Sequence, residues 1–364
     1  MMKPYFSIFA LFSLMFLAAC GGNGQSSNLV TAPKLNPENT QGGFQSISTA
    51  IRHSKASIQQ TLDTELGDSN TNVARYDVDI QKIEYLTPDR SGVLQKASGV
   101  IALPVKTTTS PLLSYQHATI FKNAEAPSSV MNDPSKSIET IMASQGMIVV
   151  SADYLGYGST QGQLHPYLLR ESSANVVIDL IQAAQDWLMF KEIETSNDLL
   201  MTGYSQGGYV TMAAFQQIES AGNNLGVSAV TMGGGPYDLT TTLDELLRGL
   251  NIPSFLQDFV SDILADTLIP KDADVVIDRT FLNRFFAGDT QDNVHNWLPS
   301  IPVKLFHGED DEIVPVETAY STRDTMQSLG ADIELVLCTE SPAEHRNCVP
   351  EYINYTLNYF APYL

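Results

Sequence analysis

The sequence predicts an α/β fold, a mostly parallel central sheet with helices on both faces. Three observations carry that expectation. Strand-like and helix-like segments alternate from Leu112 to Met232, the pattern of a sheet built from crossover units. Met147-Ile148-Val149-Val150-Ser151 is a continuous apolar run, as a strand covered on both faces requires. Gly203-Tyr204-Ser205-Gln206-Gly207 sits between the apolar run Leu199-Leu200-Met201 and a helix-like run from Gly208 to Phe215. With 364 residues, 43% of them hydrophobic, the chain can bury one large core.

The N-terminus reads as a targeting segment. Met1-Met2-Lys3 supplies a positive start, and Tyr5 to Ala19 is almost wholly apolar. At about fifteen residues this run is short for a membrane span. It ends in Leu17-Ala18-Ala19-Cys20-Gly21, which resembles the bacterial lipoprotein signal. The resemblance implies that residues 1–19 are removed and that Cys20 is lipidated as the first mature residue. The lack of Asp after Cys20 resembles outer-membrane sorting. A lipid-anchored protein of the bacterial cell envelope follows, held to the membrane through Cys20. The alternative is an ordinary secretory signal with an incidental cysteine and a secreted product. Residues 20–43 are rich in Gly, Ser, Asn, Gln, Thr and Pro and read as a flexible tether. The folded domain is then 44–364.

Within that domain, Val73 to Leu86 alternates as a strand and Lys96 to Pro104 reads as its hairpin partner, turned at Pro88 to Gly92. Leu112 to Tyr115 is a short strand. Pro134 to Gln145 reads as a helix ended by Gly146. Glu171 to Phe190 is a long amphipathic helix, with Val177, Leu180, Ile181, Ala184 and Leu188 at helical spacing. Leu199 to Gly203 is a strand, Gly207 to Ser220 a helix and Val227 to Met232 a strand. The alternation then stops. From 238 to 300 only helix-like pieces appear, at 243–247, 255–268 and 279–286, which most simply form a helical cap over the site. The alternative is connecting helices packed at the side. The sheet resumes at Val303 to Phe306, followed by a helix (315–330), a strand (332–338) and a closing helix (349–363).

The formal charge of −21 would repel nucleic acid and anionic membrane surfaces, so no nucleic-acid partner is expected, and the plainer reading of the charge is solubility. No Cys/His cluster has metal-site spacing. Gly233-Gly234-Gly235-Pro236 follows a strand, but its proline argues for a turn and not a phosphate cradle. The expectation is therefore no metal and no cofactor. Of the three cysteines, Cys338 and Cys348 remain beside Cys20. In an exported protein they can bridge, closing a loop of about eleven residues worth roughly 2–3 kcal/mol. The alternative is two separate buried thiols.

The chemistry centres on Ser205. G-x-S-x-G between strand and helix presents a serine as a nucleophile, and small neighbours let strand and helix approach closely. A serine hydroxyl needs a base, and the base needs an orienting acid. On a parallel α/β sheet the chain order is Ser, then acid, then His. His345, in Pro342-Ala343-Glu344-His345, is the one histidine that follows both the serine and the late acidic stretch. That stretch, His307-Gly308-Glu309-Asp310-Asp311-Glu312-Ile313-Val314-Pro315, resembles the α/β-hydrolase pattern G-x-x-D-x-x-V-P. The resemblance implies Asp311 as the acid, with Asp310 its rival. An oxyanion hole needs two backbone donors. Gln206, after the nucleophile, supplies one, and the loop Tyr115-Gln116-His117-Ala118-Thr119 supplies the other.

Over residues 73–364 the chain resembles the α/β-hydrolase superfamily, and more narrowly its secretory lipase and esterase branch. There Tyr-Gln-(His or Asp) follows the third strand, and a turn like Asp153-Tyr154-Leu155-Gly156-Tyr157-Gly158 follows the fourth. His117 stands where that branch places its donor, through its backbone N–H, although Ala118 stands where many relatives have glycine. Asp153 and Tyr157 read as turn-shaping residues. The resemblance implies a carboxylic ester hydrolase, esterase or lipase, working through an acyl-enzyme on a small-molecule or lipid ester. Two alternatives are a serine peptidase of the same fold and a non-catalytic surface binding module.

Overall fold

The structure is a computed structural model that describes residues 38–65, 73–222, 225–249 and 270–364. The signal segment 1–19, Cys20 and the helix expected at 255–268 lie outside the described residues.

The fold opens with β1 (Phe44–Ile47), β2 (Ile51–His53) and helix α1 (Lys55–Glu65), followed by β3 (Val78–Pro88) and β4 (Leu94–Pro104). Both β1 and β2 pair antiparallel with β3, which forms the expected hairpin with β4. Asp89 closes the hairpin turn by accepting the N–H groups of Ser91 and Val93. The crossover units follow: β5 (Ser110–Gln116), α2 (Pro127–Val130), α3 (Ile138–Ala143), β6 (Ile148–Ala152), β7 (Leu164–His165), α4 (Arg170–Phe190), β8 (Thr195–Tyr204), α5 (Gln206–Ser220) and β9 (Val227–Gly233). Beyond them come α6 (Leu239–Gly249), β10 (Val276–Ile277), α7 (Thr280–Phe286), β11 (Val303–His307), α8 (Glu317–Ser328), β12 (Ile333–Leu337) and α9 (Val349–Phe360).

The main sheet runs β1-β3-β4-β6-β5-β8-β9-β11-β12, with β2 beside β3. From β6 to β12 every neighbouring pair is parallel. Side chains of these central strands alternate between two cores, as strand geometry requires. Leu112, Ile148, Val150, Leu199 and Met201 pack on the face that carries α4 and α5. Leu113, Val149 and Leu200 pack on the opposite face, with Ile58 of α1, Met142 of α3 and Leu357 of α9. Both faces are buried, which explains why these strands read as unbroken apolar runs.

Three expectations need correction. The helix expected over 134–145 is only α3. Ser137 caps it by accepting the Thr140 N–H, and Asp133 holds the preceding turn through Ser135. Residues 38–43 are not all free tether. The Gly42 N–H donates to Leu86 O, Gln41 donates to Asp179 of α4, and Gly42 and Gly43 are buried. Strands β1 and β2 and helix α1 had no counterpart in the sequence analysis. The strands are four and three residues long, too short to show alternation, and α1 buries only Ile58 and Leu62 as apolar anchors. Between 238 and 300 the described residues add no strand to the main sheet. Instead β10 pairs parallel with β7 in a separate two-stranded sheet.

Candidate active site

Ser205 sits between β8 and α5 with φ 58° and ψ −124°, a left-handed conformation that a side chain adopts only when its surroundings enforce it. They do so here. The Ser205 N–H donates to Gly233 O of β9 at 2.9 Å. A Cβ added to Gly203 would collide with the Gly207 carbonyl, and one added to Gly207 would collide with the Gln116 carbonyl at the end of β5. The two motif glycines thus let β8, α5 and β5 meet at the serine.

His345 reaches Ser205 from the loop between β12 and α9. Its Nε2 is 2.9 Å from Ser205 Oγ, and its Nδ1 is 2.6 Å from Asp311 Oδ2. With Nδ1–H donating to a carboxylate, Nε2 is left to accept the serine hydroxyl. Three restraints hold this loop. Cys338 and Cys348 form a disulfide across it, the His345 carbonyl accepts the Tyr204 hydroxyl at 2.7 Å, and Asp310 accepts the Ala343 N–H at 2.9 Å. Asp310 is exposed and binds the loop, whereas Asp311 is buried and faces the imidazole.

Asp311 also accepts the N–H groups of Ile313 and Val314, at 3.0 and 2.8 Å, through Oδ1. His307 Nε2 lies 3.3 Å from Oδ2 and 2.8 Å from Val314 O. Burial alone would raise the Asp311 pKa, but the hydrogen bonds from His307 and His345 outweigh it and hold it down at about 2. The carboxylate is therefore ionised at any working pH. Sequence reasoning missed His307. Its only signal was its place at the end of β11, next to the acidic stretch.

Gln206 and Ser205 line a cavity of about 390 Å³, a size suited to a small-molecule ligand. At the loop after β5 the wall is made by Ala118 and Thr119. The His117 ring does not line it. That ring is buried, with Nδ1 on Ala118 O and its face on Tyr154, and burial lowers its pKa. Leu239 and Leu243 of α6, Ile277 of β10, and Phe281 and Leu282 of α7 supply apolar wall. His165, also missed from the sequence, backs Gln206: its Nε2 lies 2.9 Å from the Gln206 side-chain amide. Asp153 accepts from Ser98 and Ser128, and the Tyr157 hydroxyl donates to Ile120 O, so both residues shape a turn.

Residues 135–251 match the model of a family described as secretory lipase. That span contains the Ser205 elbow but neither Asp311 nor His345. A search of curated protein sequences finds no match. Among solved structures, the rice cell wall degrading esterase LipA from Xanthomonas oryzae superposes with a TM-score of 0.70 at 21% identity, covering 89% of this chain and 99% of LipA. A hydrolase candidate from Legionella pneumophila gives 0.72 at 22% identity, over 88% of this chain and 98% of that one. Candida antarctica lipase A in its closed state gives 0.57 at 17% identity, over 85% and 79%. The fold is that of the α/β-hydrolases.

Proposed function

We propose that this α/β-hydrolase-fold protein, a carboxylic ester hydrolase by its secretory lipase match, cleaves its substrate through an acyl-enzyme on Ser205. The reading rests chiefly on one observation, the unbroken hydrogen-bond chain from Ser205 through His345 to Asp311 at the cavity. His345 takes the serine proton as Oγ attacks the ester carbonyl, then gives it to the leaving alcohol. Asp311 keeps the imidazole in the required tautomer and offsets its positive charge. The Gln206 N–H and a second N–H from the loop at His117 and Ala118 stabilise the tetrahedral oxyanion. Water, activated by the same histidine, then releases the acid and restores the serine.

The described part of the 238–300 segment acts as the cap. Its elements α6, β10 and α7 contribute apolar side chains to the cavity wall, so an acyl chain buries against them. The secretory lipase match agrees with export of the chain. Lipidation at Cys20 then anchors the enzyme to the cell envelope by a tether that ends near Gln41, where the chain docks on α4. Mass spectrometry of the mature N-terminus should find Cys20 carrying lipid; an unmodified cysteine, or a mature chain that begins elsewhere, refutes the anchor. For the chemistry, Ser205→Ala should reduce hydrolysis of short p-nitrophenyl esters to the rate in buffer while the circular dichroism spectrum is preserved. Retained turnover would remove Ser205 from the mechanism.

A further inference from the structure

The turn after β6, Asp153 to Gly158, contacts the His117 loop directly and reaches Gln206 through His165. Its centre is Tyr154, whose ring stacks on His117 with centroids 4.0 Å apart and on His165 with centroids 6.1 Å apart. The Tyr154 hydroxyl donates to the His117 carbonyl at 3.0 Å, which ties down the loop after β5. On the other side, His165 Nδ1 lies 2.8 Å from Leu155 O, the residue after Tyr154. A carbonyl can only accept, so Nδ1 carries the proton and Nε2 is left to accept the Gln206 amide at 2.9 Å. Burial lowers the His165 pKa to about 4, in keeping with this neutral tautomer. Gly156 lets the turn close on His165, since an added Cβ would stand 2.9 Å from the His165 Cβ.

Tyr154 is buried and holds φ at 65°, a conformation costly for an aromatic residue. Such strain persists where neighbouring contacts over-determine it, and it gathers at functional sites. Asp153 fixes the turn from below, accepting Ser98 and both the N–H and hydroxyl of Ser128.

We infer that this turn sets the spacing between the two halves of the oxyanion hole, with Tyr154 and His165 as positioning residues for the reaction. Tyr154 holds the His117 loop and His165 holds Gln206. Neither needs to touch substrate, because each acts through the backbone donor it orients. The inference rests on the ester hydrolase mechanism proposed above.

The test uses Tyr154→Phe, which removes one hydroxyl, and His165→Phe, which keeps a ring but loses both nitrogens. Gln206→Leu probes the same link from its other end. Two quantities are read: kcat and KM on a short p-nitrophenyl ester, and the inhibition constant of an alkylboronic acid, which forms a tetrahedral anion on Ser205. Each variant should lower kcat by about 5–20-fold, less than the loss of a whole oxyanion donor, with KM within about twofold. The boronate should weaken in proportion. His165→Phe combined with Gln206→Leu should be no worse than the poorer single variant, because both break one interaction. Tyr154→Phe combined with His165→Phe should multiply. If kcat and boronate affinity stay within twofold of the parent in folded variants, the inference is overturned. If Tyr154→Phe does not fold, the His165 and Gln206 pair decides it. A parent that neither hydrolyses esters nor binds boronate would instead refute the mechanism itself.

Discussion

Two adjacent carboxylates, Asp310 and Asp311, have different partners, and the difference is testable. Asp311 is buried on the imidazole, and Asp310 ties down the Ala343 backbone. Asp311→Asn should cost roughly 10³–10⁴-fold in kcat by losing the tautomer control that a carboxylate provides. Asp310→Asn should cost less than about tenfold. The reverse order in steady-state kinetics would move the acid to Asp310. Because the Asp311 pKa stands at about 2, its ionisation should leave no inflection in the rate profile above pH 4. At this scale the sequence was informative wherever a motif carried a register. That Ser205, Asp311 and His345 meet was legible because chain order constrains the three together, and for Asp311 because the resemblance to G-x-x-D-x-x-V-P supplied the register. His307 and His165 were not, since a buried histidine that only supports a neighbour has no spacing rule. The His117 side chain packs away from the cavity, with only its loop at the site.

At the scale of elements, the loop between β12 and α9 carries the base and is closed by the disulfide. Replacing Cys338 and Cys348 with Ser should lower stability by about 2–3 kcal/mol, from the loop entropy returned to the unfolded chain. A reductant should then affect the parent and not the double variant, as urea melts would report; equal sensitivity would contradict the account. Helix α4 offers a second test. Asp179, which accepts Gln41 at the end of the tether, has its pKa raised to about 7 by burial, against that hydrogen bond. The folded state therefore binds more protons than the unfolded chain between about pH 4 and 7. Stability should fall as pH rises through that window. Asp179→Asn, which stays neutral, should gain stability over the parent as pH goes from 4.5 to 8, and a gap unchanged with pH would refute the assignment. The strands β5, β6 and β8 were legible because burial on both faces writes continuous apolar runs. The elements β1, β2, α1, β7 and β10 were not, because a two- to four-residue strand holds no period and α1 is anchored by just two apolar side chains.

For the whole molecule, the sheet order brings the ends of β5, β8, β9 and β11 to one edge, and the cavity forms there under α6, β10 and α7. The alternation of elements made that architecture legible. What it could not convey was the cavity's shape, which depends on where α6, β10 and α7 pack. An apolar wall predicts a preference. Each methylene added to the acyl chain should raise kcat/KM about fourfold, since burying one is worth about 0.8 kcal/mol, until the cavity is full. A series of p-nitrophenyl esters from acetate upward measures this directly, and a flat series would mean that the acyl chain does not enter the cavity.

The central claim is that Ser205 becomes covalently acylated. Tryptic mass spectrometry after treatment with a fluorophosphonate tests it most directly. The account predicts one adduct, on the peptide that contains Ser205, formed in step with loss of esterase activity and absent from Asp311→Asn over the same interval. An adduct at another residue, or esterase activity that persists with Ser205 fully labelled, would contradict it.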